Sequence, residues 1–352
     1  MAFMKMSSPH AHRAGDTGDV MKQVILACTP GLIALSYFFG PGSIFNVVIA
    51  SGFAVAFEAA ILKLRNRPIG FYLNDYSAVV TGVLLGLALP PYCPWWIIAI
   101  GVGSAIVLAK HLYGGMGYNP FNPAMVGYVV LLISFPLEMT QWASPRPVLE
   151  QGQSLVGPLS ALGQIWLGIP IDGYSGATPL DLFKQNDSQL VEHFYTAEPL
   201  FANARWAGAG WEWVNIGFLL GGGYLLYKRI FTWHTPVSML AAIFIMSVVF
   251  YDGGSSHSGG SPYLHLLSGA TMLGAFFIAT DPVSSAVSTK GRLIYGAGIG
   301  VLVYLIRVWG NYPDAVAFAV LLMNFAAPFI DHYTLPRTYG HSSARRATEK
   351  SE

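Results

Sequence analysis

Long apolar runs alternate with short polar stretches along most of the chain. Each run holds about 15 to 20 residues, the length of helix that crosses a hydrocarbon layer roughly 30 Å thick. The pattern predicts an all-α polytopic membrane protein with about ten transmembrane helices. The predicted spans are residues 23–40, 43–62, 77–91, 94–110, 122–137, 211–227, 235–251, 264–280, 293–309 and 313–331.

Lys and Arg residues fall at alternate ends of these spans. They precede the first span, end the fourth span at Lys110 and follow the second, sixth, eighth and tenth spans, whereas the loops 40–43, 90–94 and 252–263 contain none. Short loops keep Lys and Arg on the cytoplasmic side of a membrane. The distribution therefore predicts that both termini are cytoplasmic and that the long connection after the fifth span is periplasmic.

The chain divides accordingly into two membrane halves, a periplasmic segment and two tails. Residues 1–22 form a cytoplasmic tail, 23–137 the first half with spans one to five, 138–210 the periplasmic segment, 211–331 the second half with spans six to ten, and 332–352 a second cytoplasmic tail. The periplasmic segment is the region expected to form a small soluble subdomain. Its Trp residues are expected to anchor it at the membrane interface, namely Trp142, Trp206, Trp211 and Trp213.

Two pairs of segments resemble each other at nearly the same offset. Pro123–Leu132 resembles Pro313–Leu322, and Ser77–Pro91 resembles Ser268–Pro282. Because five spans per half is an odd number, a repeat of this kind predicts two inverted five-helix halves, as in many transporters. The alternative is that membrane helices rich in small residues resemble one another by composition.

Composition supports the membrane assignment and excludes other classes. The chain is 53% hydrophobic and only 11% charged, where soluble domains carry roughly 25% charged residues. A net charge of +1 without a clustered basic face gives no indication of a nucleic-acid partner.

Cys28 and Cys93 are isolated and lack the spacing of a metal or disulfide pair. The first span lacks a small-residue cleavage site, so we expect it to remain as a helix.

The chemically distinctive stretch is DGYSGAT, residues 172–178, in the periplasmic segment. A threonine hydroxyl can form a phosphoester, and neighbouring small residues leave the backbone open to a modifying enzyme. The stretch resembles the D-G-x-S-G-A-T acceptor signature of proteins modified by an FAD-dependent flavin transferase. The resemblance implies an FMN esterified to Thr178, with an acceptor motif of Asp172, Gly173, Ser175, Gly176 and Ala177. The alternative is a turn that is merely rich in small residues.

The tetrapeptide SGAT recurs at residues 268–271, inside the predicted eighth span. His265 takes the place of Asp172 there, and Thr271 is expected at membrane depth, beyond the reach of a water-soluble transferase. We therefore do not expect Thr271 to carry flavin. This segment and the Gly- and Pro-rich stretch 114–123 are interpreted as lining a second flavin pocket or an ion path, because irregular backbone at membrane depth needs protein or a cavity around it. A loop packed between helices is the alternative.

Glu58 is the deepest carboxylate of the predicted spans and lies about one helical turn from Lys63. An ionisable group at membrane depth is costly and often marks an ion pathway. Glu58 is therefore a candidate for an ion path.

Several longer strings carry a resemblance to a known family. They include KHLYGG at 110–115, NPFNPAM at 119–125, HLLSGATMLGAFF at 265–277 and YPDAVAFA at 312–319. In this order they resemble the RnfD family of Rnf electron-transport complexes. Its sister family is NqrB, a component of the sodium-pumping NADH:quinone reductase. That sister usually has a longer cytoplasmic extension, whereas residues 1–22 alone precede the first predicted span here, which favours the Rnf family.

The resemblance implies a component of a complex in the bacterial inner membrane. The complex couples electron transfer between NADH and ferredoxin, or another low-potential acceptor, to Na⁺ or H⁺ translocation. The implied partners are the Rnf subunits A, B, C, E and G, the flavin transferase and the lipid bilayer. The implied cofactors are the covalent FMN, which acts as an electron relay, and a non-covalent riboflavin. No residue of the sequence identifies the riboflavin pocket. A Gly-rich nucleotide turn and an iron–sulfur cysteine set are absent from the sequence. The alternative function is a passive solute channel or permease on the same scaffold.

Overall fold

A computed structural model of the chain describes residues 17–149, 155–168, 175–185, 190–255, 258–312 and 315–334. Within these residues the fold is almost entirely helical. The helices before the predicted extramembrane segment (138–210) are α1 (Thr17–Phe39), α2 (Gly42–Leu64), α3 (Ile69–Leu73), α4 (Ser77–Ala88), α5 (Trp95–Gly103), α6 (Pro123–Ser134) and α7 (Pro136–Thr140). A π-helical segment, Ser104–His111, continues α5.

The extramembrane segment contains short elements. They are β1 (Trp142–Ala143), a 3₁₀ turn (Arg146–Val148), α8 (Pro158–Leu167), β2 (Ser175–Gly176), α9 (Pro179–Lys184), α10 (Val191–Ala197) and α11 (Pro199–Ala202). The pair β1–β2 is the one departure from the predicted all-α fold in the described part of the chain.

The second half begins with two longer helices and continues with a broken one. Its elements are α12 (Trp211–Tyr227), α13 (His234–Val249), a 3₁₀ turn (Asp252–Gly254), α14 (Pro262–Leu267), α15 (Thr271–Leu273), a π-helical segment (Gly274–Ile278), α16 (Thr289–Trp309) and α17 (Val316–Thr334).

The helices fit a polytopic membrane protein. Four of them, α1, α2, α16 and α17, are long and apolar enough to cross a membrane, and shorter apolar helices occupy Ser77–Ala88, Trp95–His111, Pro123–Ser134 and His234–Val249. Each predicted span coincides with helical residues. The count of ten spans and the inverted arrangement of the halves stay predictions.

The predicted eighth span, 264–280, is not one helix. The chain leaves helical geometry between α14 and α15, and Gly269 adopts a φ of +60°. Asn215 on α12 compensates for the break, because its side-chain NH₂ donates to the carbonyls of Leu267 and Gly269, each at 3.0 Å. Its oxygen accepts the N–H of Met272 at 3.1 Å. The interruption is stable because a neighbouring helix satisfies its exposed backbone groups.

Small residues bring α1 and α12 into close contact. A Cβ at Gly31 would lie 2.3 Å from the Phe218 ring, and a Cβ at Gly221 would lie 1.9 Å from the Ala27 carbonyl oxygen. Such positions let helix backbones approach closely where packing, rather than water exclusion, drives association. Helix α17 also contacts α6, so the two halves meet through α1–α12 and α6–α17.

Candidate flavin attachment site and its cavity

The described part of the acceptor motif is fixed in a short antiparallel pairing. Trp142 pairs with Gly176, and Ala143 pairs with Ser175. A Cβ at Gly176 would lie only 2.6 Å from the Ser144 hydroxyl, so the close approach of the two strands favours glycine. Asp172 and Gly173 lie outside the described residues, and Ala177 is exposed.

Thr178 is the N-cap residue of α9. Its hydroxyl accepts the backbone N–H of Asp181 at 3.2 Å and donates to Asp181 Oδ2 at 2.6 Å. The backbone N–H of Thr178 donates to the same carboxylate oxygen at 3.3 Å. Together with Pro179 at the first helical position, these bonds form a capping box, which fixes where α9 begins. Thr178 is thus held in place rather than carried on a flexible stretch.

Helix α9 is anchored to the rest of the protein along its length. Pro179 packs against Gly208, where an added Cβ would lie 2.5 Å from Pro179 Cγ. Leu180 packs in a small core with Phe194, Phe201 and Leu264. Lys184 Nζ donates to the Tyr312 carbonyl at 3.1 Å, and burial lowers the pKa of this lysine, with the nearby Asp181 carboxylate partly opposing the shift. These contacts tie the extramembrane segment to the second half.

Thr178 and Asp181 border a cavity between the two membrane halves. Most of its lining is apolar, and several of the largest lining side chains are aromatic. The lining residues include Tyr128, Trp142, Trp211, Phe218, Gly269 and Ala270. The Trp142 and Trp211 rings lie 4.8 Å apart, and Trp211 also contacts Phe39 with ring centroids 5.0 Å apart.

The four tryptophans predicted as interface anchors fall into two pairs. Trp211 is buried and therefore does not face lipid, and the half-buried Trp142 lines the same cavity as Trp211. Trp206 and Trp213 are exposed and lie with ring centroids 6.2 Å apart. Sequence alone could not separate these two pairs, because all four flank the same segment.

The second SGAT segment lies beside the first one. Gly269 and Ala270 line the cavity that Thr178 borders. Thr271 is fully buried, and its hydroxyl lies 2.7 Å from the His265 carbonyl oxygen and 3.0 Å from the Ser268 carbonyl oxygen, both of which can accept a hydrogen bond from it. Arg307 Nη2 donates to the same hydroxyl at 3.0 Å. The two identical tetrapeptides thus have different environments: the first ends in the N-cap residue of α9, and the second lies in the break between α14 and α15.

The Asn-Pro-Phe-Asn-Pro stretch borders a different cavity. Asn119, Asn122 and Pro123 line it together with Asp281 and Arg292 from the second half. Asn122 caps α6 by accepting the Met125 N–H at 3.2 Å. The structure does not bring this stretch and the second SGAT segment to one site.

Glu58 has partners that the spacing to Lys63 does not indicate. Lys110 Nζ lies 2.6 Å from Glu58 Oε2, 2.8 Å from Oε1 and 2.7 Å from the Ser77 hydroxyl. His111 Nε2 lies 3.5 Å from Glu58 Oε1. Lys63 is exposed, whereas Lys110 is buried in the π-helical segment.

Comparison with known proteins identifies the family of the chain. Residues 4–340 match the NQR2, RnfD, RnfE family. The chain is 62% identical over 352 residues to a Cellvibrio japonicus protein named as the D component of an ion-translocating oxidoreductase complex, covering all of this chain and 99% of the relative. It is 58% identical to the protein of that name from Ectopseudomonas mendocina, over 97% of each chain. The Pseudomonas aeruginosa protein of that name is 53% identical over 98% of each chain.

These matches span nearly the whole chain, including both SGAT segments and the strings quoted above. They confirm the predicted resemblance to RnfD. The chain therefore belongs to the NQR2, RnfD, RnfE family.

Proposed function

We propose that the chain is a membrane component of an Rnf-type ion-translocating oxidoreductase complex and carries an FMN, esterified to Thr178, as an electron relay. The names of the relatives support the complex. One observation supports the flavin: the hydroxyl that ends the DGYSGAT motif borders an aromatic cavity between the membrane halves.

The residue types around this cavity suit a flavin, but the cavity itself, about 80 Å³, is smaller than the roughly 300–1,000 Å³ of pockets that enclose such ligands, so the ring would lie partly outside it. Thr178 supplies the ester oxygen, and the capping box with Asp181 fixes its position at the cavity edge. Tyr128, Trp142 and Trp211 offer aromatic surfaces to a planar ring, which favours offset or edge contacts. Gly269 and Ala270 also line the cavity, and their small side chains take up little of its space. The bound FMN would supply one- and two-electron transfer chemistry.

The finer features of the function are part of the same proposal. The chain lies in the bacterial inner membrane with both termini cytoplasmic and Thr178 periplasmic. It assembles with the Rnf subunits A, B, C, E and G, which supply the NADH and iron–sulfur chemistry, and it is matured by the FAD-dependent transferase. Electron transfer between NADH and ferredoxin, or another low-potential acceptor, drives Na⁺ or H⁺ translocation. A non-covalent riboflavin stays a prediction without an assigned pocket.

The place of Glu58 in an ion path also stays a prediction. Both carboxylate oxygens are within hydrogen-bond distance of the Lys110 ammonium. A translocated cation would have to compete with this ammonium for the carboxylate, since the pair already neutralises its charge. Glu58 fits an ion path if Lys110 moves away during turnover.

Covalent flavin separates this function from that of a passive permease, which needs no redox group. The test is in-gel fluorescence of the denatured protein from a host that contains the transferase. We expect a fluorescent band for the wild type and none for Thr178→Val. Thr196→Val is the matched control, because Thr196 lies on α10 of the same segment and its hydroxyl bonds within its own helix. A dark wild-type band would contradict the proposal and leave the permease as the better account.

A further inference from the structure

We propose that Asp181 is the base that receives the Thr178 proton when the flavin phosphoester forms. The inference rests on the proposed covalent flavin and adds a residue outside the D-G-x-S-G-A-T motif. Nothing in that motif requires a carboxylate three residues after the threonine. The fold places one there, in direct contact with the atom that would be modified.

The geometry at the hydroxyl suits proton removal. Thr178 Oγ1 lies 2.6 Å from Asp181 Oδ2, within the range of short hydrogen bonds between a hydroxyl and a carboxylate. The backbone N–H of Asp181 also donates to Thr178 Oγ1, at 3.2 Å. The hydroxyl hydrogen is thus directed at the carboxylate, while Thr178 itself stays partly exposed at the cavity edge.

The contact goes beyond what helix capping requires. In a capping box the threonine oxygen accepts one backbone N–H, and the carboxylate accepts the N-cap backbone N–H. Both bonds are present here, and the hydroxyl-to-carboxylate bond is additional. A base of this kind must lie within hydrogen-bond reach of the proton it removes, which the 2.6 Å contact satisfies.

Other capped helices of the described chain lack this arrangement. Side chains of Asn122, Ser261 and Ser288 also cap helices, and the bonded residues three positions later are Met125, Leu264 and Gly291. The hydroxyl of Thr271 lies against the backbone carbonyls of His265 and Ser268, which cannot take up a proton as a carboxylate does. Among these sites, Thr178 alone combines a capping hydroxyl with a carboxylate acceptor.

The reaction balances with FAD as the co-reactant. Thr178 Oγ1 attacks the phosphorus of the FMN half of FAD, forming an Oγ1–P bond. The Oγ1–H bond breaks, and its proton passes to Asp181 Oδ2. The phosphoanhydride bond breaks with its electron pair remaining on AMP, which leaves. No group is oxidised or reduced, and Asp181 afterwards releases the proton to water.

The test is the initial rate of flavin incorporation into purified, full-length, unmodified chain mixed with transferase and FAD. Asp181→Asn retains an oxygen that can accept the Thr178 N–H but has no basic carboxylate. We expect kcat for incorporation to fall about 100-fold or more, the range typical of a lost general base, while KM for FAD stays unchanged. Asp181→Glu should restore part of the rate. Asp252→Asn is the matched control, because Asp252 Oδ2 also accepts from a hydroxyl, that of Ser255, at 2.7 Å.

Each outcome decides the role of Asp181. Flavin incorporation into Asp181→Asn at the wild-type rate would overturn the role of Asp181 as the base. If thermal unfolding shows that Asp181→Asn is misfolded, Asp181→Ser replaces it: a folded, slow serine variant supports the base, and a fast one excludes it. A wild-type chain that takes up no flavin from active transferase would instead remove the proposed function itself, so the two failures are distinguishable.

Discussion

Lys110 is an interior residue whose ammonium lies 2.6 Å from the Glu58 carboxylate. Both side chains are only 3% exposed. The pair joins α2 to the π-helical segment that ends the α5 helix, and the Ser77 hydroxyl at the start of α4 completes the contact. Three helical elements of the first half therefore meet at one buried ion pair.

Removing one member of this pair should destabilise the first half. Glu58→Gln leaves the Lys110 ammonium buried without a carboxylate, and breaking a buried pair in this way typically costs about 3–5 kcal/mol. The double variant Glu58→Gln/Lys110→Met should recover much of that loss, since it leaves no uncompensated charge. The measurement is thermal or denaturant unfolding of the detergent-solubilised chain. Lys63→Met is the control, because Lys63 is exposed on the same helix; equal losses for Lys63→Met and Lys110→Met would contradict the pairing.

The packing of Pro179 against residue 208 requires that this residue have no side chain. Gly208→Ala would place a Cβ 2.5 Å from Pro179 Cγ, so α9 must shift. We expect a loss of about 1–3 kcal/mol, typical of overpacking, and slower flavin incorporation at Thr178. Gly163→Ala on α8 is the control, since an added Cβ there meets nothing within 4 Å. A free energy of unfolding that is the same for Gly208→Ala and the wild type would show that α9 does not pack closely against this glycine.

Thr271 should contribute to stability and not to flavin attachment. Thr271→Val removes the hydroxyl acceptor of Arg307 Nη2 inside the second half. Loss of a buried hydrogen-bond partner typically costs about 1–3 kcal/mol, so the unfolding midpoint should fall while covalent flavin per chain stays at the wild-type level. Thr29→Val is the control, because the Thr29 hydroxyl donates within its own helix, to the Leu26 carbonyl. A Thr271→Val protein without covalent flavin would refute this division of roles.

Tyr195 gives the extramembrane segment a dependence on alkaline pH. Burial raises the pKa of Tyr195 to about 12, although its hydrogen bond with the Ser261 hydroxyl opposes the shift. An unfolded tyrosine titrates near pH 10, so the folded state holds the proton more tightly. The resulting stability is complete below about pH 10 and is lost as the pH rises to about 12.

The measurement for Tyr195 is the free energy of unfolding as a function of pH. Tyr195→Phe should flatten the decline between about pH 10 and pH 12. Tyr263→Phe should leave it unchanged, because Tyr263 is exposed. A decline that persists undiminished in Tyr195→Phe would show that other groups cause it.

Hydrophobic periodicity was enough to predict the helices but not their interruptions. Apolar length locates α1, α2, α16 and α17 well, because each is a continuous apolar run. The break at 268–270 lies inside such a run, and it depends on Asn215, more than 50 positions earlier in the chain. The π-helical segment Ser104–His111 is equally hidden, since one extra residue per turn hardly changes an apolar pattern.

The candidate site was predicted in part. The motif predicts Thr178 as the acceptor, and the T-x-x-D spacing from Thr178 to Asp181 is a capping-box signal present in the sequence. The cavity could not be predicted, because Trp142, Trp211 and Gly269 come from separate segments that only the folded chain brings together. For the same reason the sequence could not show that Lys110, 52 residues away, is the partner of Glu58.

Peptide mass spectrometry measures the phosphoester at Thr178 most directly. The chain should be purified from a bacterium that contains the flavin transferase and digested to release the peptide that spans residues 175–185. The account predicts a mass increase equal to FMN less one water, with fragmentation placing it on Thr178. A peptide found only at its unmodified mass, from cells in which the transferase is shown to be active, would contradict the account.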